Sequence, residues 1–191
     1  MTANTSPAAN RTAADRTAAD RGLPAYKLFL DLDGVLVDFD AGIVDLLGRP
    51  PDGGPGGKPI PPGVMWGTVA RAEAFYEHLS WMPDGRQLWE FARALNPVIL
   101  SGLPRGNWAA PQKRAWCERE LGPDVQVELC MSREKAERAR ALTPEGVRPV
   151  LVDDRESLAA PFEQAGGVFI LHRSATESIA RLKELFRPSP D

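Results

Sequence analysis

Asp31 and Asp33 stand one residue apart at the end of the apolar run in KLFLDLDGVLVDF. Burying a charge is costly, so two carboxylates at the end of a buried strand need something nearby to compensate them. If the strand continues, both side chains point to the same side. Asp153 and Asp154 close a second apolar run, RPVLVDD, from which Asp154 would reach the same point. Acids crowded in this way repel one another unless a cation lies among them. Hard oxygen donors with open positions suit Mg²⁺, which takes a few carboxylates, waters and a phosphate oxygen. Ser101 and Gly102, at the end of PVILSG, offer a hydroxyl and close-approaching N–H groups to the oxygens of an anion. Lys135, just before a helical stretch, adds fixed positive charge, and Lys113 in PQKRAW is the alternative source of it. The set is a phosphate site with a metal and a free carboxylate facing the phosphorus.

Such a site needs strand ends gathered in one place. From Ala25 onward, short runs rich in Val, Ile, Leu and Phe (YKLFLDLD, PVILSG, VQVELC, RPVLVDD, GVFILHR) alternate with amphipathic stretches. Helices are predicted around Gln87–Leu95, Gln112–Leu121, Arg133–Leu142, Glu156–Gln164 and Thr176–Phe186. Nearly continuous apolar strands alternating with helices indicate an α/β fold, a parallel sheet covered on both faces. In such sheets the ligand sits at the carboxyl ends of the strands. The expected core is 25–40 together with 82–187.

The interval before PVILSG is far longer than one crossover connection. It holds GRPPDGGPGGKPIPPG, too rich in Pro and Gly for helix or strand, then VMWGTVARAEAFYEHLSWMPDG, which reads as helical through Met65, Val69, Phe75 and Leu79. A small helical cap over 41–81 is expected, its aromatics Trp66, Phe75, Tyr76 and Trp81 serving mostly as cap core. Asp38 and Asp40 fit the start of a helix. Residues 1–24, with RTAAD repeated and no large apolar residue beyond Met1, read as a disordered tail.

Composition narrows the partners. The formal net charge is −3, which argues against a nucleic-acid polymer or an anionic membrane surface. No apolar stretch approaches the roughly 20 residues that span a bilayer, and the N-terminus lacks the apolar core of a signal peptide. Cys117 and Cys130 are too few for a disulfide framework and fit a cytoplasmic protein with ordinary thiols. His78 and His172 have no ligand spacing around them and read as surface residues.

The chain resembles the haloacid-dehalogenase (HAD) superfamily of phosphatases. DLDGVLVDF, Ser101 in VILSG, Lys135 in SREKA and LVDDR at 151–155 match its four signatures in order. Within that superfamily, PQKRAWCERELGPD followed by MSREK is similar to the 5′(3′)-deoxyribonucleotidases. The Pro/Gly-rich entry and a longer connection between Lys135 and the Asp153–Asp154 pair depart from their pattern. The resemblance implies a HAD-like Rossmannoid three-layer sandwich with a five-stranded parallel sheet and a cap inserted after the first strand. It implies a Mg²⁺-dependent phosphomonoester hydrolase, with Asp31 as nucleophile and Asp33 as general acid and base. Mg²⁺ would be held by the Asp31 carboxylate, the Asp33 main-chain carbonyl and Asp154, with Asp153 either a direct ligand or a support behind them. Ser101, Gly102 and Lys135 would hold the phosphoryl oxygens; Phe39 and Trp66 would line the leaving-group pocket. A small-molecule phosphomonoester is the expected partner, a nucleoside monophosphate first and a sugar phosphate or other metabolite second. A phosphoacceptor module of receiver type also joins acids, Mg²⁺, Ser/Thr and Lys on a parallel sheet. It puts its acidic pair and its phosphorylated aspartate on different strands, whereas Asp31 and Asp33 share one.

Overall fold

The structure is a computed structural model and describes residues 26–187; the tail expected over 1–24 lies outside the described residues. Five strands, β1 (Tyr26–Leu30), β2 (Val98–Gly102), β3 (Val127–Cys130), β4 (Arg148–Asp153) and β5 (Val168–Leu171), form one parallel sheet in the order β3-β2-β1-β4-β5. The chain adds β2 and β3 on one side of β1, then crosses to add β4 and β5 on the other. The carboxyl ends of β1 and its neighbours thus flank the point where strand order reverses, the place where open α/β sheets bind ligands.

Side chains alternate across the sheet, as the strand period requires. Leu28, Leu30, Ile99, Val150 and Val152 face one layer, and Phe29, Val98, Leu100 and Leu151 face the other, all fully buried. The first layer contains α3 (Gly85–Ala92), α4 (Ala109–Leu121) and α7 (Ala175–Leu185), which contribute Leu88, Trp116 and Leu182. The second contains α5 (Lys135–Ala141) and α6 (Ala159–Gln164), which contribute Ala139 and Phe162. The three-layer α/β architecture is thus the one expected from the apolar runs. Among the described residues no helix is long and apolar enough to cross a membrane.

The insertion between β1 and β2 carries α1 (Phe39–Leu47) and α2 (Pro62–Val69). Its two connections run side by side: Asp38 N donates to Ser80 O at 2.9 Å and Met82 N to Leu36 O at 2.8 Å, around an antiparallel bridge between Val37 and Trp81. The two connections thus meet at Val37 and Trp81, with α1 and α2 between them. Ile43, Val69, Phe75, Tyr76 and Leu79 join the same buried cluster as Leu28 and Leu30, so the insertion shares the core of the sheet. Trp116, fully buried, ties the two parts together by donating from Nε1 to Leu79 O at 2.8 Å.

Two expectations are corrected here. The helix expected through Met65, Val69, Phe75 and Leu79 stops at Val69, and residues 70–78 are turns with Ala74 at φ 51°. Phe75 and Tyr76 are adjacent yet both buried, whereas one helix face would cover only one of them. His172 is buried rather than at the surface, and its Nδ1 lies 2.8 Å from Ser178 Oγ on α7. His78 is exposed. Asp38 caps α1, its carboxylate accepting from Ala41 N at 2.8 Å, and Asp40 lies in the first turn.

Candidate active site

Asp31 directly follows β1, and its N–H continues the sheet by donating to Val152 O at 2.9 Å. It is buried; its Oδ1 accepts from Leu32 N at 2.7 Å and from Lys135 Nζ at 2.8 Å. Lys135 opens α5, is also buried, and places its ammonium 2.6 Å from Asp153 Oδ2. Burial works against that charge, but Asp31 and Asp153 outweigh it and raise the lysine's pKa, so the ammonium is held charged. Lys135 thus clamps the ends of β1 and β4 together.

Asp31, Asp153 and Asp154 each offer a carboxylate oxygen within 4.8 Å of the others. Asp153 is fully buried, with Oδ1 accepting from Arg155 N at 2.9 Å and Oδ2 from Lys135. Both of its oxygens are engaged by the protein, while Asp154 lines the cleft. Burial, then the charges of Asp31 and Asp153, push the Asp154 carboxyl up to about 7. Gly34 turns the chain at φ +75°, where a Cβ would lie 2.4 Å from Asp154 Oδ2. Only glycine allows both that conformation and that approach.

Asp33 sits in a tight turn, where Leu32 O accepts from the N–H groups of Val35, Leu36 and Val37. Its Oδ2 accepts from Lys113 Nζ at 2.5 Å, while its Oδ1 is covered and has no hydrogen-bond partner among the described residues. Burial raises its pKa, with Asp31 adding to the effect and Lys113 opposing it. Ser101 is fully buried near the end of β2, its Oγ accepting from Lys113 Nζ at 2.9 Å. At Gly102 a Cβ would come 2.5 Å from Ser132 Oγ, so a side chain there would fill the floor between the ends of β2 and β3.

These residues surround a cavity of about 410 Å³. Asp31, Asp33, Asp154 and Gly102 line it together with Phe39 and Trp66. The Phe39 and Trp66 rings lie 5.6 Å apart, and Trp66 is 37% exposed, whereas Phe75 and Tyr76 are packed into the insertion. Of the residues expected to act together, Asp31, Asp33, Gly102, Asp154, Phe39 and Trp66 share the cavity wall; Ser101 and Lys135 stand just behind it. Ser132, Met82, Leu103, Pro104 and Arg155 also line it and were not singled out from sequence. Arg155 Nη1 donates to Ser132 Oγ at 2.9 Å, a pairing across 23 residues that no local pattern announces.

Asp31, Asp153 and Asp154 crowd together around one ammonium, that of Lys135. Carboxylate oxygens gathered this closely fit a divalent cation such as Mg²⁺. The cysteines take no part: both are buried, and burial pushes the Cys117 thiol up to about 12.

No family model matches the chain, and no curated protein matches it. Solved structures do. A HAD family hydrolase from Deinococcus radiodurans R1 with bound phosphate and sodium is 18% identical, covering 88% of this chain and 99% of its own, at a TM-score of 0.48. A hydrolase from Streptococcus pneumoniae TIGR4 is 15% identical over 85% of this chain and 98% of its own, at 0.49. A HAD-superfamily hydrolase of subfamily IA, variant 1, from Geobacter sulfurreducens PCA is 14% identical over 85% and 98%, at 0.48. With TM-scores below 0.5 these likenesses decide nothing about function, which rests on this chain's own residues.

Proposed function

We propose that the protein is a Mg²⁺-dependent phosphomonoester hydrolase of the HAD kind, acting through an aspartyl-phosphate on Asp31. The observation that carries this reading is the convergence of Asp31, Asp33 and Asp154 on one cleft, with Lys135 holding Asp31 and with Asp33 Oδ1 left without a partner. Lys135 fixes Asp31 through Oδ1, so its carboxylate meets a bound phosphoryl group in one orientation. Attack by Asp31 forms an O–P bond and breaks the bond to the leaving alkoxide. Asp33 gives its proton to that alkoxide, then takes one from the water that hydrolyses the aspartyl-phosphate, so the cycle ends with both groups restored. The Ser101 hydroxyl and the Gly102 backbone would hold phosphoryl oxygens. A divalent cation held by Asp31, Asp154 and the Asp33 carbonyl would supply charge neutralisation for the phosphoryl oxygens.

The leaving group would lie against Phe39 and Trp66, and stacking on a flat base favours a nucleoside monophosphate. The test is a panel of phosphomonoesters with and without Mg²⁺, including deoxynucleoside monophosphates and sugar phosphates. Metal-dependent release of inorganic phosphate with nucleotides fastest is the expected result. Faster turnover of sugar phosphates would reassign the substrate, and no turnover on any ester would refute the reading.

A further inference from the structure

Lys113 lies on the core face of α4. The buried positions of that helix are Ala109, Lys113, Trp116 and Cys117, the spacing of an apolar stripe in which one member is a lysine. It is fully buried. Placing an ammonium there costs several kcal/mol unless its partners are well arranged, and an aliphatic residue would avoid that cost. Each partner belongs to the site or adjoins it. Nζ donates to Asp33 Oδ2 at 2.5 Å and to Ser101 Oγ at 2.9 Å, and lies 4.4 Å from the centre of the Tyr76 ring. The next residue up the helix, Gln112, accepts from Tyr76 N at 2.9 Å and so fixes the ring that covers the ammonium.

We infer that Lys113 is a positioning residue for the leaving-group step: it ties down Asp33 through Oδ2 and so holds the carboxyl in the orientation from which Asp33 exchanges a proton with the departing alkoxide. The inference rests on the phosphomonoester reading above. Its geometric basis is a fully buried ammonium whose two hydrogen-bond partners, Asp33 and Ser101, both belong to the site. In the first half-reaction the O–H bond of the Asp33 carboxyl breaks and an O–H bond forms on the leaving group; in the second, a water proton returns to Asp33. Lys113 is fully buried and has no place on the cavity wall, so it does not bind the phosphoryl group itself. Lys135, tied to Asp31 and Asp153, holds the other carboxylate pair.

Leaving-group dependence separates this role from phosphate binding and from a structural one. Leaving-group release is measured in single turnover, enzyme in excess, with Mg²⁺. One substrate is 2,4-dinitrophenyl phosphate, whose leaving group needs no protonation. The other is a deoxynucleoside 5′-monophosphate, whose alkoxide does. Lys113→Met should slow the nucleotide by about 100-fold or more and the dinitrophenyl ester by less than about threefold, since general acid catalysis is worth 10²–10⁴. Because Lys113→Met leaves Asp33 unpaired and can unfold the site, Asp33→Asn is compared with Asp33→Asn/Lys113→Met, in which neither charge is orphaned. The double variant should match Asp33→Asn on the nucleotide within about threefold. Equal losses on both esters in Lys113→Met, or a further loss in the double variant, would overturn the assignment. If the wild type releases neither leaving group, the phosphomonoester reading fails and this inference falls with it. If the wild type releases both and the variants lose them equally, only the role of Lys113 fails.

Discussion

Replacing Asp154 by Asn should stabilise the metal-free protein at alkaline pH and abolish its response to Mg²⁺. Asp154 faces Asp31 and Asp153 across less than 4.8 Å, and its carboxyl is pushed from 3.8 to about 7 by burial and by those two charges. A carboxyl that holds its proton more tightly when folded penalises the folded state progressively as pH rises from about 4 to about 7, and fully above that. Because the Asp154 side chain, though set among Asp31 and Asp153, opens on the solvent-filled cleft, screening trims this penalty to about 1 kcal/mol. Removing the charge should therefore raise the metal-free melting temperature by about 2–4 °C at pH 8, and by less at pH 5.5. In the wild type Mg²⁺ offsets the same repulsion, so saturating Mg²⁺ should raise the melting temperature more at pH 8 than at pH 5.5. Below about pH 7 the cation must displace a proton, and its midpoint concentration should rise by up to about tenfold per pH unit. Thermal melts of both proteins at the two pH values, with MgCl₂ or EDTA, supply every number. A variant less stable than wild type without metal, or one that Mg²⁺ still stabilises, would refute the electrostatic account of the cluster.

Two further outcomes follow from single contacts. Gly34→Ala places a Cβ 2.4 Å from Asp154 Oδ2 at φ +75°, so stability should fall by about 1–2 kcal/mol in chemical denaturation and the apparent Mg²⁺ affinity should fall with it; unchanged metal affinity would show that Asp154 is not a ligand. Trp66→Ala should cut kcat/KM for nucleotides by about tenfold and leave a small alkyl phosphate nearly unaffected, because a stacking contact is worth roughly 1–3 kcal/mol; equal losses would make Trp66 a structural residue of the insertion.

The sheet was legible because its strands are buried on both faces, which makes runs such as VILSG and RPVLVDD continuous in apolar residues. Asp31, Ser101, Asp153 and Asp154 were legible because polar residues at the ends of such runs must meet at one edge of the sheet. Pairings between distant segments were not legible. Lys113 stands 80 residues from Asp33 in the chain, and only the packing of α4 against the sheet shows which carboxylate it meets. The signal present in the sequence was a lysine on the apolar stripe of a helix. The insertion was half legible: its Pro/Gly-rich entry and aromatics marked it as separate from the sheet. The helical spacing of Met65, Val69, Phe75 and Leu79 misled, because burying both Phe75 and Tyr76 favoured turns over a helix. His172 had no local mark of burial; Ser178, which accompanies it, comes from the next helix.

The central claim is that Asp31 becomes covalently phosphorylated. The direct measurement is mass spectrometry of protein quenched in acid during turnover of a phosphomonoester with Mg²⁺, followed by peptide mapping. The account predicts a phosphoryl adduct on the peptide containing Asp31, in wild type and more abundantly in Asp33→Asn, whose hydrolytic step lacks its base. It predicts no adduct and no turnover in Asp31→Asn that retains the wild-type fold. Near-normal turnover by Asp31→Asn, or an adduct on a different residue, would contradict it.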